Sequence, residues 1–283
     1  MIPMVADIID GRKIASEKEA VLKKKIEELD RPPRLDTIFA GQDEGSKVYM
    51  GTKDKGCKRV GIKSVTHRYD DTVTEDELID KIRSLNDDDA VDGILVQMPL
   101  PEGIDPKLLI SEIDPIKDVE GMHPVNLGSL ISGTELRIPC TPKGILTMLE
   151  YEGVPLEGAQ VCIVSHSMIV GKPMAILLLN RDATVDVVHE YTKNLHEHTS
   201  KADVLISAAG VPHLISADML AENSVVIDVG MNRLESGELV GDVNFADANK
   251  KVSKITPVPG GVGPTTVLSL LENTYDAYLK LAP

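Results

Sequence analysis

Val161-Cys-Ile-Val-Ser-His-Ser-Met-Ile-Val-Gly-Lys-Pro173 is the stretch that decides how this chain is read. Four apolar, β-favouring residues run into a turn of small residues, and Gly171-Lys-Pro173 opens a helix. Such a junction aims backbone N–H groups and the positive end of a helix at a phosphate. A GxGxxG spacing is absent, because Ser165 and Ser167 take the first two small-residue places and only Gly171 remains. Alone, the pattern fits an ordinary Ser/Gly turn just as well. Its weight comes from the regular beat of the second half of the chain. Apolar runs begin near Val161, Val185, Val204 and Val225, with starts 24, 19 and 21 residues apart. That is βαβ spacing, with a helix possible after each of the first three runs.

Upstream, the same alternation continues. A helical pattern from Ser16 to Leu29 is stopped by Arg31-Pro32-Pro33, and Leu35 to Ala40 reads as a strand ending at Gly41. Ser46 is placed to cap a helix running to about Val60, and Ile62 to Val65 reads as the next strand. Thr74 and Glu77 form a capping box for a helix from Glu75 to Leu85, followed by a buried strand from Gly93 to Met98. From Glu102 to Pro142 the sequence is rich in Pro, Gly and Asp, which predicts loops over a cleft and a connection between domains. Periodicity returns from Lys143 to Tyr151, and Val267, Leu270, Leu271, Tyr275 and Tyr278 share one stripe of a final amphipathic helix, Thr265 to Leu281. The expected class is α/β with largely parallel sheets, and 283 residues suit two domains.

Thirty basic residues against 45 acidic ones leave a net charge of −15, a field that repels nucleic-acid phosphates and anionic membranes. Any anionic ligand therefore needs a local basic pocket. With 3% aromatic residues and no Trp, stacking platforms for single-stranded nucleic acid are not expected. Cys57, Cys140 and Cys162 are odd in number and form no CxxC pair, which fits neither a disulfide framework nor a zinc ribbon. Asp7 and Asp10 interrupt the stretch a signal peptide would need, and no segment reaches the apolar length of a spanning helix. These features predict a soluble protein of a reducing, cytoplasmic compartment.

Tyr49 and Lys53, at i and i+4 of the helix after Ser46, share one helical face, so a phenol and an amine can meet one substrate. Lys53 serves as a proton carrier only if burial lowers its pKa; otherwise it is one more solvated lysine beside Lys47, Lys55 and Lys58. Gln97 sits in the apolar run Ile94 to Met98, where a neutral amide fixes Lys53 or a ligand, or else bonds to neighbouring backbone. Asp118, Glu120 and His123 put three titratable groups in one turn-rich loop, which suits a cleft as well as a solvated turn. Glu190, at the end of the second run, is placed to accept hydrogen bonds from an adenosine ribose and to oppose a 2′-phosphate, or is a surface Glu. Pro257-Val-Pro-Gly-Gly-Val-Gly-Pro264 combines close backbone approach with rigidity, which favours ligand contact over a plain turn. His196-Glu-His198 lacks the spacing of a helical metal pair, and no metal site is expected.

Six ordered segments together resemble the bifunctional methylenetetrahydrofolate dehydrogenase/methenyltetrahydrofolate cyclohydrolase family over essentially the whole chain. They are Ser46 to Lys53 with Gly61-Ile62, Gly93 to Pro101, Lys117 to Gly121, Pro139 to Pro142, Ile169 to Pro173 and Thr256 to Pro264. The resemblance implies a folate-binding catalytic domain over 1–140, with helix 265–283 packing back on it. It also implies a Rossmann-like nucleotide-binding domain over 141–264, a cleft between the two, and a homodimer. Tetrahydrofolate one-carbon derivatives would be the substrates. Lys53 would transfer the proton of the cyclohydrolase step, Tyr49 would orient the pterin and Gln97 would hold and tune Lys53. Glu120 would grip the pterin edge where the family usually has Asp, and Pro259, Gly260, Gly261, Gly263 and Pro264 would contact substrate. Ser165, His166, Ser167, Gly171, Glu190 and Met231 would hold the dinucleotide. The family prior makes that dinucleotide NADP, while His166 in place of the usual arginine and the carboxylate of Glu190 lean towards NAD. Short-chain dehydrogenases also carry YxxxK, but downstream of their nucleotide turn, the reverse of the order here. A non-catalytic folate or dinucleotide binder would not need Tyr49, Lys53 and Gln97 together.

Overall fold

A computed structural model describes residues 5–282, the side chain of Glu44 apart. The chain divides into two compact units, one made of 16–140 with 267 onward, the other of the chain through Ala15 with 141–266. The expectation of one domain over 1–140 thus differs at its start. Strand β1 (Asp7–Ile8) pairs in parallel with a strand near the end of the chain, and backbone pairing outweighs closeness in sequence. Helix α1 (Gly11–Glu27) begins five residues before the start read at Ser16, because Asp10 Oδ1 accepts the N–H groups of Arg12 and Lys13 and Ile14 and Ala15 are already core.

The first of these units is built on a three-stranded parallel sheet, ordered β3-β2-β4. Its elements are β2 (Arg34–Ala40), α2 (Glu44–Val60), β3 (Lys63–Tyr69), α3 (Glu75–Asn86), β4 (Gly93–Val96), α4 (Pro106–Glu112) and α5 (Pro124–Ile131). Alternation along β2 sorts two cores. Leu35 and, on β4, Leu95 pack with Cys57 and Val60 of α2 and with Leu270 and Leu271, while Ile38, Ile94 and Val96 pack with Leu78, Ile82 and Leu85 of α3. The Thr74/Glu77 box caps α3. At α2 the cap is Asp43, not Ser46, whose hydroxyl lies 2.8 Å from both the Asp43 carboxylate and the Met98 carbonyl.

The segment expected to be irregular contains α4 and α5, each opened by a proline after a capping side chain, Asp105-Pro106 and His123-Pro124. Its loops are pinned from within. Lys117 is buried and donates to the carbonyls of Leu85, Asn86 and Asp88 at the end of α3, and Arg137 donates to the carbonyls of Asn273 and Ile116.

The other unit carries a six-stranded parallel sheet ordered β1-β11-β8-β7-β5-β6. After α6 (Cys140–Tyr151) come β5 (Gln160–Val164), α7 (Gly171–Leu179), β6 (Thr184–Val188), α8 (Leu195–Thr199), β7 (Val204–Ser207) and β8 (Val225–Asp228). A hairpin of β9 (Asn232–Arg233) and β10 (Leu239–Val240), then α9 (Phe245–Ala248), β11 (Lys254–Ile255) and α10 (Val262–Leu281), complete the chain. The four apolar runs of the sequence are β5 to β8. Between β7 and β8 a single 3-10 turn, 217–219, replaces the possible helix. Among the described residues no helix is long and apolar enough to cross a membrane, and no group of three or more acidic, His or Cys side chains is placed to hold a metal.

Candidate active site

Lys53 lies inside the protein, with none of its surface exposed. It projects from α2 onto the sheet face that carries Leu35 and Leu95, and its amine donates to the hydroxyl of Thr37 on β2. Asp54 Oδ1 stands 3.6 Å from the amine and also accepts from Ser64. Burial pulls the Lys53 pKa down, against the opposing charges of Asp54, Cys57 and Glu120. The solvated-lysine alternative is therefore excluded for this residue. Tyr49, one turn earlier, packs on the core containing Cys57 and Leu271. Burial, with the charges of Cys140 and Glu120 adding to it, pushes its phenol well up, so Tyr49 keeps its proton at neutral pH.

Gln97 follows β4, and its N–H continues the ladder to the Ile38 carbonyl at 2.9 Å. Its Nε2 donates to the Met98 carbonyl at 2.8 Å, while its Oε1 is buried with no hydrogen-bond partner. A buried amide oxygen without a donor is costly and points to a group not yet in place. Two residues past Leu95, Gln97 shares the sheet face of Thr37 and Lys53.

Of the three titratable groups in the loop after α4, two hold the chain. The Asp118 carboxylate is buried and accepts from the N–H groups of Gly121 and His123 and from Asn126 Nδ2. His123 Nδ1 accepts the Val125 N–H and so caps α5. Glu120 alone faces the amine electrostatically, and burial, reinforced by Asp118, raises its pKa to about 8. The folded state therefore binds more protons than the unfolded one between the ordinary Glu range and pH 8, so this group lowers stability as pH rises through that window. Glu120→Gln is expected to flatten that fall in chemical denaturation run from pH 5 to 9. An unchanged slope would mean that the carboxyl titrates normally.

On the other unit, a cavity of about 430 Å³ opens at the carboxyl ends of β5, β6 and β7, lined by Ser165, His166, Ser167, His189, Glu190 and Ala208 among others. The chain runs from β5 outward to β6 and then to β7 on the other side of β5, so the cavity sits where strand order reverses. Glycine is obligatory at 171, since a Cβ there would lie 2.1 Å from the Ser165 carbonyl oxygen. Ser165 and Ser167 work inside the turn: Ser165 Oγ accepts the Ser167 N–H, and Ser167 Oγ accepts that of Val170. His166 and His189 meet edge to face at 4.6 Å. A closed turn and a cavity at the switch point suit a dinucleotide. Met231 is 69% exposed and does not line this cavity. In the Pro257–Pro264 loop Gly260 has φ +115°, while Gly261 packs tightly on Thr256, and the Cβ position of Gly263 is open.

Two family models cover nearly the whole chain: the tetrahydrofolate dehydrogenase/cyclohydrolase catalytic domain over 9–120 and its NAD(P)-binding domain over 139–282. The chain belongs to the tetrahydrofolate dehydrogenase/cyclohydrolase family. A bifunctional protein FolD of a Sulfurovum species is 47% identical over 94% of this chain and 96% of its own. The crystal structure of the bifunctional FolD dehydrogenase/cyclohydrolase of Campylobacter jejuni is 44% identical, with a TM-score of 0.95 over 97% of this chain and 99% of that one. The Trypanosoma brucei FolD, solved with NADP and an inhibitor, is 35% identical at a TM-score of 0.93, covering 98% of each chain. This family member is accordingly a bifunctional folate enzyme, a methylenetetrahydrofolate dehydrogenase and methenyltetrahydrofolate cyclohydrolase with an NAD(P)-binding domain.

Sequence reasoning missed Thr37. The available signal was a polar side chain inside an apolar strand, at the parity of Leu35 and hence on the face that meets the YxxxK helix.

Proposed function

We propose that Lys53 carries the proton of the cyclohydrolase step in this enzyme. The neutral amine takes a proton from the water that adds to the methenyl carbon, and the resulting ammonium returns a proton to the adjacent folate nitrogen as its bond to that carbon breaks. The formyl group stays on the other nitrogen, and one proton leaves to solvent. Full burial of the Lys53 amine, with its lowered pKa, is the observation that carries this reading. Tyr49 offers a protonated phenol to orient the pterin, Gln97 an unpaired carbonyl to hold the amine or a folate N–H, and Glu120 a carboxyl to grip the pterin edge. Pro259, Gly260, Gly261, Gly263 and Pro264, at the turn into α10 and in its first turn, are read as substrate contacts.

For the oxidation, a bound nicotinamide dinucleotide supplies the hydride acceptor, and the chain supplies binding and orientation. Ser165, Ser167 and Gly171 shape the turn, His166 and Glu190 border the adenosine end, and Met231 lies on the loop after β8. We read the acceptor as NADP, in line with the NADP bound by the Trypanosoma brucei relative, and a second reading, NAD, is favoured by Glu190 and by the imidazole of His166. Methylenetetrahydrofolate given with either dinucleotide should produce the absorbance of reduced nicotinamide and of the methenyl product. No turnover with either, by folded protein, would leave only a binding protein. His166→Arg should raise kcat/KM for NADP relative to NAD by about tenfold or more, the value of one charge-assisted phosphate contact. An unmoved ratio would assign phosphate recognition elsewhere. The three cysteines, all free and buried, support a reducing cytoplasmic compartment. We read the enzyme as a homodimer, in line with β3 forming an edge of its sheet.

A further inference from the structure

We propose that Thr37 is a positioning residue for the cyclohydrolase reaction: its hydroxyl holds the Lys53 amine against β2 and so fixes where the amine stands when it works. The proposal rests on the reading of Lys53 as proton carrier.

Thr37 is fully buried, and its hydroxyl receives the Lys53 amine. A threonine inside a strand whose neighbours Leu35 and Ile38 are core has no packing need for an oxygen, and valine would fill the same space. Gln97 Oε1, on the same sheet face two residues beyond the β4 partner of Thr37, is buried and empty-handed. Of the two polar oxygens on this face, the amine bonds that of Thr37 and leaves that of Gln97 unpartnered, with Asp54 Oδ1 3.6 Å away. An ammonium has three donors and no acceptor, so a hydroxyl oxygen that accepts from it is a fit partner in an otherwise apolar wall.

The charged and titratable groups around the amine are Asp54 and Cys57 on its own helix and Glu120 on the loop beside β4. Asp54 is held by Ser64 on β3. Thr37 is the uncharged partner among them. Because its oxygen accepts from the ammonium, it favours the charged form and restrains the drop that burial imposes. Removing the hydroxyl therefore moves the amine's titration to lower pH, by about one unit for a hydrogen bond to a charged group.

The test compares pH–rate profiles of methenyltetrahydrofolate hydrolysis for the parent, Thr37→Val, Thr37→Ser and Lys53→Ala enzymes, with thermal unfolding of each. The expected result is an ascending limb shifted down by about one pH unit in Thr37→Val and restored in Thr37→Ser, with hydrolysis lost in Lys53→Ala. A Thr37→Val enzyme whose stability changes while its profile stays in place makes Thr37 structural and overturns the proposal, as does an upward shift. Retained hydrolysis in Lys53→Ala would instead overturn the reading of Lys53 beneath it, so the two failures are told apart. If Thr37→Val does not fold, Thr37→Ser against Thr37→Ala carries the same comparison.

Discussion

Lys53→Ala is expected to cut methenyltetrahydrofolate hydrolysis by about 10²–10⁴-fold, the range that a positioned general acid–base supplies, while binding of the dinucleotide alone stays as in the parent. The asymmetry comes from where the amine sits. Lys53 is on α2 in the unit built on the three-stranded sheet, and the switch-point cavity is on the other unit. Truncating this fully buried side chain also leaves a cavity and takes the partner from Thr37, so the variant is expected to lose stability, and thermal unfolding separates that loss from the loss of chemistry. Hydrolysis and dinucleotide affinity are measured on one preparation, the first by loss of methenyl absorbance and the second by fluorescence or calorimetric titration. Equal hydrolysis in variant and parent would take Lys53 out of its role. A parallel loss of both would say that the substitution damages the fold.

The second large effect is expected from Gly171→Ala. Residue 171 opens α7, and an added methyl would meet the Ser165 carbonyl oxygen at 2.1 Å, its carbon at 2.5 Å and the His166 Cα at 2.9 Å. All three are backbone atoms, so no side chain can swing aside. The turn must open, which strains the Ser165–Ser167 bonds that close it and displaces His166 at the wall of the cavity. Overpacking of this kind costs about 1–3 kcal/mol, a drop in Tm of roughly 2–4 °C per kcal/mol at this chain length. Because the turn itself moves, KM should rise about tenfold or more for NAD and NADP alike, tenfold corresponding to about 1.4 kcal/mol of binding. Cyclohydrolase activity, which uses no dinucleotide, should persist. A variant with unaltered dinucleotide KM would show that the turn does not bind it.

Much of this molecule is legible because the signals are local and repeated. The runs at Val161, Val185, Val204 and Val225 are β5 to β8, and the Thr74/Glu77 box opens α3 where the spacing places it. Features set by distant partners were not legible. Strand β1 is two residues long and is defined only by its pairing with β11, which no periodicity can announce. Helices α4 and α5, of seven and eight residues, are too short for a helical stripe to stand out, although Asp105-Pro106 and His123-Pro124 carry their start signals.

The site divides in the same way. Tyr49 and Lys53 share a face by helical spacing alone, whereas the burial that makes Lys53 useful depends on β2, β4 and the loop that bears Glu120. A titratable side chain in a turn-rich loop can hold the loop as readily as it can serve chemistry. Asp118, His123 and Lys117 all turn out to satisfy backbone groups, and only the three-dimensional partners distinguish them from Glu120. In the dinucleotide turn, the two serines that replace glycines close the turn on itself, which a reading of small residues as phosphate contacts does not anticipate.

The central claim is that the Lys53 amine is neutral enough at working pH to accept a proton. NMR titration of lysine labelled at Cε and Nζ, with the Lys53 signal assigned by its loss in Lys53→Arg, measures this directly. The predicted result is a midpoint clearly below the ordinary lysine value of 10.5. A signal that titrates with the surface lysines would contradict it.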